Sequence, residues 1–312
     1  MTAIMEIINT VLPVFLVMGL GVGLTLGSFL SQDGFANIRK LVFYVSLPAL
    51  LFKSAALSSF SETFSIVALG VTIAVIVMTA FVPYLLTGSL PPARRGVVVQ
   101  GMFRGNMIFV GIPIVAYAFG DAGVASVVVL VAFIIPVYNL LAVVVLSLPH
   151  HTGIGAAGTA RNMMKDIIRN PLIIGCAAGL LYSATNLPIP LGIVRTLDLV
   201  GRMALPLALL IVGASLEFRT LRGDVTASLV ASFVRLIVFP GLLFMLLLLF
   251  GYGGIPMKAT TVMMAGPAAA SSYIMAAEMN GDEHLASSIL IVSTFLSLIT
   301  IIGWLYFFSF IE

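Results

Sequence analysis

Few residues in this chain could do chemistry, and the strongest candidate is Arg104. It stands in QGMFRGNMIFVGIP, Gln100 to Pro113, with Gly105 and Asn106 directly after it. A guanidinium inside a membrane-length apolar segment costs about 2.5–3.5 kcal/mol on insertion scales and marks a functional site by default. The Gly-Asn pair is poor helix material, so the segment should break there. A second apolar stretch, Thr261 to Ala270 (TVMMAGPAAA), carries its own breaker, Gly266-Pro267. A break exposes the N-terminus of the half-helix that follows, where free N–H groups and the helix dipole attract anions. Asn106 sits at one such start. Ala268 to Ser271 sit at the other, and Ser271 and Ser272 can donate to an anion or to the preceding turn. The chemistry on offer is binding of a small organic anion.

Arg104 either faces the anion or pairs with backbone carbonyls or a structural partner. Arg235, about eleven residues into its own apolar segment, either snorkels to the cytoplasm or packs on carbonyls. Tyr138-Asn139 are either glue between helices or site lining. Lys53 and Arg202 lie near segment ends and are expected to snorkel. Glu278 is a partner for Arg235 or simply wet. The run Gly19, Gly21, Gly23, Gly27 resembles a nucleotide loop only superficially, because no strand precedes it. Its spacing suits close helix packing. His150, His151 and His284 fall in loops and form no metal set or catalytic pair, and the single cysteine, Cys176, gives no thiol cluster. Neither an enzyme nor a cofactor is expected.

The elements that position these residues follow from composition. The 312 residues are 61% hydrophobic and only 9% charged, against about 25% charged in soluble chains. This is an all-α polytopic membrane protein. Its pI near 9.1 comes without a basic, aromatic-interleaved patch, so no nucleic-acid partner is expected. The first segment is too long for a signal peptide and reads as a retained helix. Stretches of about 20 apolar residues define ten spans, roughly 7–29, 37–57, 64–87, 95–119, 122–148, 168–186, 197–216, 225–250, 257–280 and 284–310. The longest connection divides them into a first half, 1–148, a linker, 149–166, and a second half, 167–312.

The halves repeat each other. At an offset of 158, Pro13 falls on Pro171, Gly21 on Gly179, Gly34 on Gly192, Leu47-Pro48 on Leu205-Pro206, and Leu51 on Leu209. With small slips, Gly105 then meets Pro267 and Asp121 meets Asp282. Five spans per half make the second half enter from the opposite side, the inverted repeat typical of secondary transporters. Nine Lys/Arg, Arg39 and Lys40 among them, fall on one side and three (Lys53, Arg195, Lys258) on the other. The first side is therefore cytoplasmic and both termini lie outside. From Arg94-Arg95, ten residues at 1.5 Å each put Arg104 about 15 Å deep in a core of about 30 Å. Nine residues from Lys258 put Pro267 about 14 Å deep from the other face. Broken helices four and nine should thus cross at the midplane. The candidate substrate-binding residues are Arg104, Gly105, Asn106, Gly266, Pro267, Ala268, Ser271, Tyr138 and Asn139.

The stretches KLVFYVSLPALLF (Lys40–Phe52), NMIFVGIP (Asn106–Pro113), PVYNLLAVV (Pro136–Val144), RNPLIIG (Arg169–Gly175), VRLIVFP (Val234–Pro240) and ASSILIVSTFLSLITI (Ala286–Ile301) resemble, in order, the auxin efflux carrier family in its short prokaryotic form. The resemblance implies a fold related to the bile acid:sodium symporters. Spans 1, 2, 6 and 7 would form a scaffold, spans 3–5 and 8–10 a transport domain, and transport would be an elevator-like shift of one against the other. It also implies a homodimer through the scaffold and a carboxylate substrate, malate- or malonate-like or auxin-like, in a cell membrane. The alternative is a sodium- or proton-coupled symporter of a larger apolar acid. Gly105 replaces the family's proline at the first crossover. Val262 to Ala265 are apolar where sodium-coupled relatives carry an acidic ligand.

The repeat and the charge bias make a topology test. A cysteine at Gly158 is expected to be labelled only from the cytoplasm and one at Ser59 only from outside, with little background from Cys176. Labelling of both from one side overturns the inverted repeat.

Overall fold

The computed structural model describes residues 2–57, 65–148, 171–185, 187–216 and 224–311. The linker 149–166, with His150 and His151, lies outside them, as do Arg219 and Arg222. Among the described residues the chain is helical, with one isolated β-bridge between Gly105 and Ala268. In order the helices are α1 (Thr2–Leu26), α2 (Gln32–Leu41), α3 (Leu47–Leu57), α4 (Ile66–Leu86), α5 (Pro92–Phe103), α6 (Ile112–Ser147), α7 (Pro171–Ala184), α8 (Leu191–Arg202), α9 (Ala204–Ala214), α10 (Val225–Phe233), α11 (Phe239–Leu249), α12 (Gly254–Met264), α13 (Ala270–Glu278) and α14 (Glu283–Phe308).

Seven helical stretches among the described residues are long and apolar enough to cross a membrane. They account for most of the expected spans. The others take different forms. Spans four and nine are each split, at 104–106 and 265–269. The second piece of span four runs on into span five, and the two are divided only by Gly120, whose φ of 61° a side chain would strain. The span expected at 168–186 is described from Pro171 onward. Large apolar side chains such as Leu16, Leu20, Leu85 and Leu86 stand on the surface, as lipid-facing helices require.

Three π-helical turns, Val42–Ser46, Met107–Gly111 and Val234–Val238, share a local cause. Each ends two residues before a proline: Pro48, Pro113 and Pro240. Proline has no N–H to give, and its ring crowds the carbonyl four residues earlier. A widened turn relieves that crowding and frees the carbonyl. At Pro240 the freed carbonyl is that of Leu236, and Trp304 Nε1 donates to it at 3.0 Å. Polar N-caps start α2, α4, α10 and α14: Ser31, Ser65, Asp224 and Asp282 respectively. Arg94 joins two of these caps, lying 2.7 Å from the Asp224 carboxylate and 3.8 Å from that of Asp282. The Arg94 hydrogen bond, with the Ala227 N–H, holds the Asp224 carboxyl below its ordinary range.

Glycines set the closest packing. A Cβ on Gly21 would lie 2.2 Å from the Leu210 carbonyl oxygen, and one on Gly179 would lie 2.6 Å from that of Phe52. These two contacts are related by the sequence offset, since 21 and 52 plus 158 are 179 and 210. The same α1–α9 seam brings Gly213 onto Met18, while α7 meets α3 through Gly175 and Gly179. The glycine run in α1 is only partly a packing motif. Gly21 packs, but a Cβ at Gly19 or Gly23 would meet nothing within 4 Å. Lys53 and Arg202, expected to snorkel from span ends, also find a shared acid. Both pair with Asp198, at 2.5 and 2.7 Å. The acid one turn before Arg202 holds both cations, and Arg202 stays largely exposed beside it.

Gly213→Val should lower thermal stability by about 1–3 kcal/mol, since backbone on both sides must move. Gly19→Ala should leave the melting temperature equal or higher. Thermal unfolding of both variants in mild detergent checks this, and equal melting would overturn the packing argument.

Candidate functional site

The site is built where two helices stop short. Helix α5 ends at Phe103, and Arg104 turns extended (φ −87°, ψ 97°). Helix α12 ends at Met264, and the chain resumes helix at Ala270. The two interruptions bond to each other. Asn106 N–H donates to the Pro267 carbonyl at 2.7 Å, and Ala269 N–H donates to the Arg104 carbonyl at 3.1 Å. Ala268 N–H goes to Ser293 Oγ on α14, at 3.1 Å. Each pairing removes a backbone group that an apolar interior would otherwise leave orphaned.

The carbonyl ends of both interrupted helices converge on Arg235. Its Nε donates to Gly266 O at 3.0 Å, Nη1 to Phe103 O at 3.0 Å, and Nη2 to Met264 O at 2.5 Å. The side chain is fully buried and stacks on Phe239, 4.7 Å from the ring centroid. A guanidinium suits this position, because its planar fork carries five donors and helix C-termini favour a cation. Of the two readings the sequence left open, carbonyl packing is the one realised. The structure does not describe the Glu278 side chain. The same contact dictates glycine at 105, where a Cβ would fall 1.7 Å from Arg235 Nη2.

Arg104 points the other way, into a cavity of about 390 Å³, a normal size for a small-molecule site. It is 7% exposed. Nη2 donates to Asn139 Oδ1 at 2.7 Å, and Nη1 rests on the Met275 sulfur. Asn106 caps the second half-helix, its Oδ1 accepting from Phe109 N–H at 3.2 Å. Its Nδ2 is buried and has no partner among the described residues. Met107 and Ile108 occupy the first turn of that half-helix, where N–H groups have no intrahelical acceptor. They line the same cavity, as do Ala270 and Ser271 at the start of α13.

Of the residues singled out from sequence, Arg104, Gly105, Asn106, Tyr138, Asn139 and Ser271 line this cavity. Gly266, Pro267 and Ala268 do not; they form the backbone bridge behind it. Tyr138 is buried, packing on Phe103 at 6.0 Å between ring centroids with its hydroxyl 3.9 Å from the Met264 sulfur. Asn139 is exposed to the cavity and orients Arg104. Sequence reasoning missed Arg39, Met275 and Ser293. Arg39 was counted only as a loop charge, and methionine and serine carry no signal in an apolar helix. Among the described residues no group of three or more His, Cys, Asp or Glu side chains could hold a metal ion.

The bundle of long apolar helices around a cavity belongs to a multi-pass membrane transporter. The family described as Membrane transport protein matches residues 6–151 and 158–305, nearly the whole chain, and the chain belongs to that family. An "Uncharacterized transporter" of Methanothermobacter thermautotrophicus is 27% identical over 310 residues, 95% of this chain and 96% of the relative. A "Putative malonate transporter" of Rhizobium meliloti is 24% identical over 280 residues, 86% and 85% of the two chains. An "Uncharacterized transporter" of Methanocaldococcus jannaschii is 25% identical over 308 residues, 95% and 98%.

Arg235→Met should expose at least three unpaired carbonyls, each costing about 1–3 kcal/mol, and should lower the melting temperature sharply or abolish expression. Arg235→Lys, a single ammonium in place of a fork, should recover only part. A Met variant that melts like the parent would mean that the carbonyls find other partners.

Proposed function

We propose that the protein is a secondary transporter or facilitator of a small organic anion, a mono- or dicarboxylate. The carboxylate binds at the mutual break of the two interrupted helices. One observation carries the reading. The cavity wall holds a buried guanidinium already oriented by Asn139, beside a buried amide with an unused donor at a helix N-terminus. A carboxylate takes the fork of Arg104 on one edge, with Asn106 Nδ2 and the first-turn N–H groups completing its shell. The walls are largely apolar, through Ile108, Phe109, Ile135 and Ile211, which favours an organic anion over an inorganic one. The relative named as a malonate transporter supports the same class.

In this reading the chain has ten spans in two inverted five-helix repeats, with broken helices four and nine crossing. The offset-related contacts Gly21–Leu210 and Gly179–Phe52 support a two-fold relation between the halves. Spans 1, 2, 6 and 7 act as scaffold and pair in a homodimer, and spans 3–5 and 8–10 carry the site in an elevator-like movement. The protein resides in the cell membrane with both termini outside. Helices α1 and α9 pack backbone to backbone and move as one body, while Arg235 keeps the two breaks together through the cycle.

Arg104→Ala should lose a charge-assisted contact of roughly 1.5–3 kcal/mol, about ten- to a hundred-fold in affinity. Asn106→Ala should weaken binding strongly as well, with the protein still folded. Arg104→Lys should keep only part, lacking the fork. Substrate-induced thermal stabilisation and counterflow in proteoliposomes, across a carboxylate panel with and without sodium and a pH gradient, measure both effects. Parent-like binding by Arg104→Ala would leave the anion resting on helix N-termini alone. Flux without saturation or counterflow would make the protein a channel.

A further inference from the structure

The cavity holds a second cation. Arg39, in the last turn of α2, lines it together with Ile211, Val212 and Ser215 of the α9 side. Arg104 belongs to the opposing set of elements, the α5 break and its neighbours. Arg39 is exposed and makes no hydrogen bond or ion pair among the described residues. Lys53, Arg94, Arg95, Arg202, Arg235 and Lys258 are all held by named partners. Among the described residues no Asp or Glu lines the cavity. Two guanidinium groups therefore face one space of about 390 Å³ with no carboxylate in its described lining to balance them.

We propose that Arg39 is a second anchor of the anion site and makes it selective for dianions, chiefly short dicarboxylates. This rests on the reading of the cavity as an anion site. Arg39 stands at the exposed side of the cavity, where solvent screens it from an anion it does not touch, so a monocarboxylate on Arg104 gains little from it. A dicarboxylate neutralises both. Its carbon spacer lies along the apolar walls between them. Because the two arginines stand on different sets of helices, a bound dianion also ties one wall of the cavity to the other.

The test uses the full-length protein in detergent or nanodiscs, with malonate and succinate as diacids and propionate and butyrate as monoacids of matching length. The parent should bind the better diacid more tightly than either monoacid. Arg39→Gln should weaken diacid binding roughly tenfold or more, as loss of a charged hydrogen bond does, and leave monoacid binding within about twofold. Arg39→Lys should restore part of the diacid affinity. Equal weakening of diacids and monoacids by Arg39→Gln, or no change in either, overturns the second anchor. So does a parent that prefers monoacids. Arg104→Gln separates the two ideas. If it abolishes binding of both classes while Arg39→Gln is silent, the anion site stands and Arg39 is no part of it. If the parent binds no carboxylate, the site reading itself fails and takes this one with it.

Discussion

Two helices that stop inside an apolar bundle leave carbonyl groups with nowhere to go, and the guanidinium of Arg235 answers that constraint. It takes Phe103 O from one interrupted helix and Met264 O and Gly266 O from the other. Neither break can be read alone, because one side chain satisfies both. Burying a cation unpaired would be prohibitive. Burying it against two helix C-termini offsets much of that cost, since their partial negative charges face it. Several local choices follow. Position 105 must be glycine to admit the guanidinium, and Phe239 supplies a ring for its open face.

The opposite faces of the same breaks supply the complementary charge. Where the first half-helices end in carbonyls, the second half-helices begin with N–H groups, and these open on the cavity with Arg104 and Asn106. The two arginines thus divide the work by geometry. Arg235 is fully enclosed by acceptors of the protein itself. Arg104 is held by one amide oxygen and a sulfur and keeps an edge toward the cavity. Beside it, Asn106 Nδ2 is buried and has no partner among the described residues.

Around this centre the chain uses small devices to bring backbones together and to let helices pass prolines. Glycine seams join α1 to α9 and α3 to α7. Widened turns precede Pro48, Pro113 and Pro240, and in the last case Trp304 covers the carbonyl that is released. The Arg94 link between the caps of α10 and α14 places those helix starts beside α5.

Much was legible in the sequence alone because it depends on local properties. Hydropathy marks membrane-length segments whatever their neighbours. Gly105-Asn106 and Gly266-Pro267 interrupt a helix through their own backbone preferences, and the offset of 158 between the halves is a property of the string. Tertiary structure decided what depends on which surfaces meet. Arg104 and Arg235 are both lone cations deep in apolar segments; the sequence left open whether Arg104 faces an anion or a structural partner and whether Arg235 snorkels or packs on carbonyls. Gly19 and Gly21 are alike in sequence, but only Gly21 meets another backbone. Lys53 and Arg202 read only as cations near span ends until the fold of α3 against α8 gave both Asp198 as a partner. Arg39 read as one more loop charge, because nothing in its neighbours along the chain reveals that α2 borders the cavity. Helix type and interruption are set by residues a turn apart. Partners and exposure are set largely by residues tens to more than a hundred positions away, which only the folded chain brings within hydrogen-bond distance.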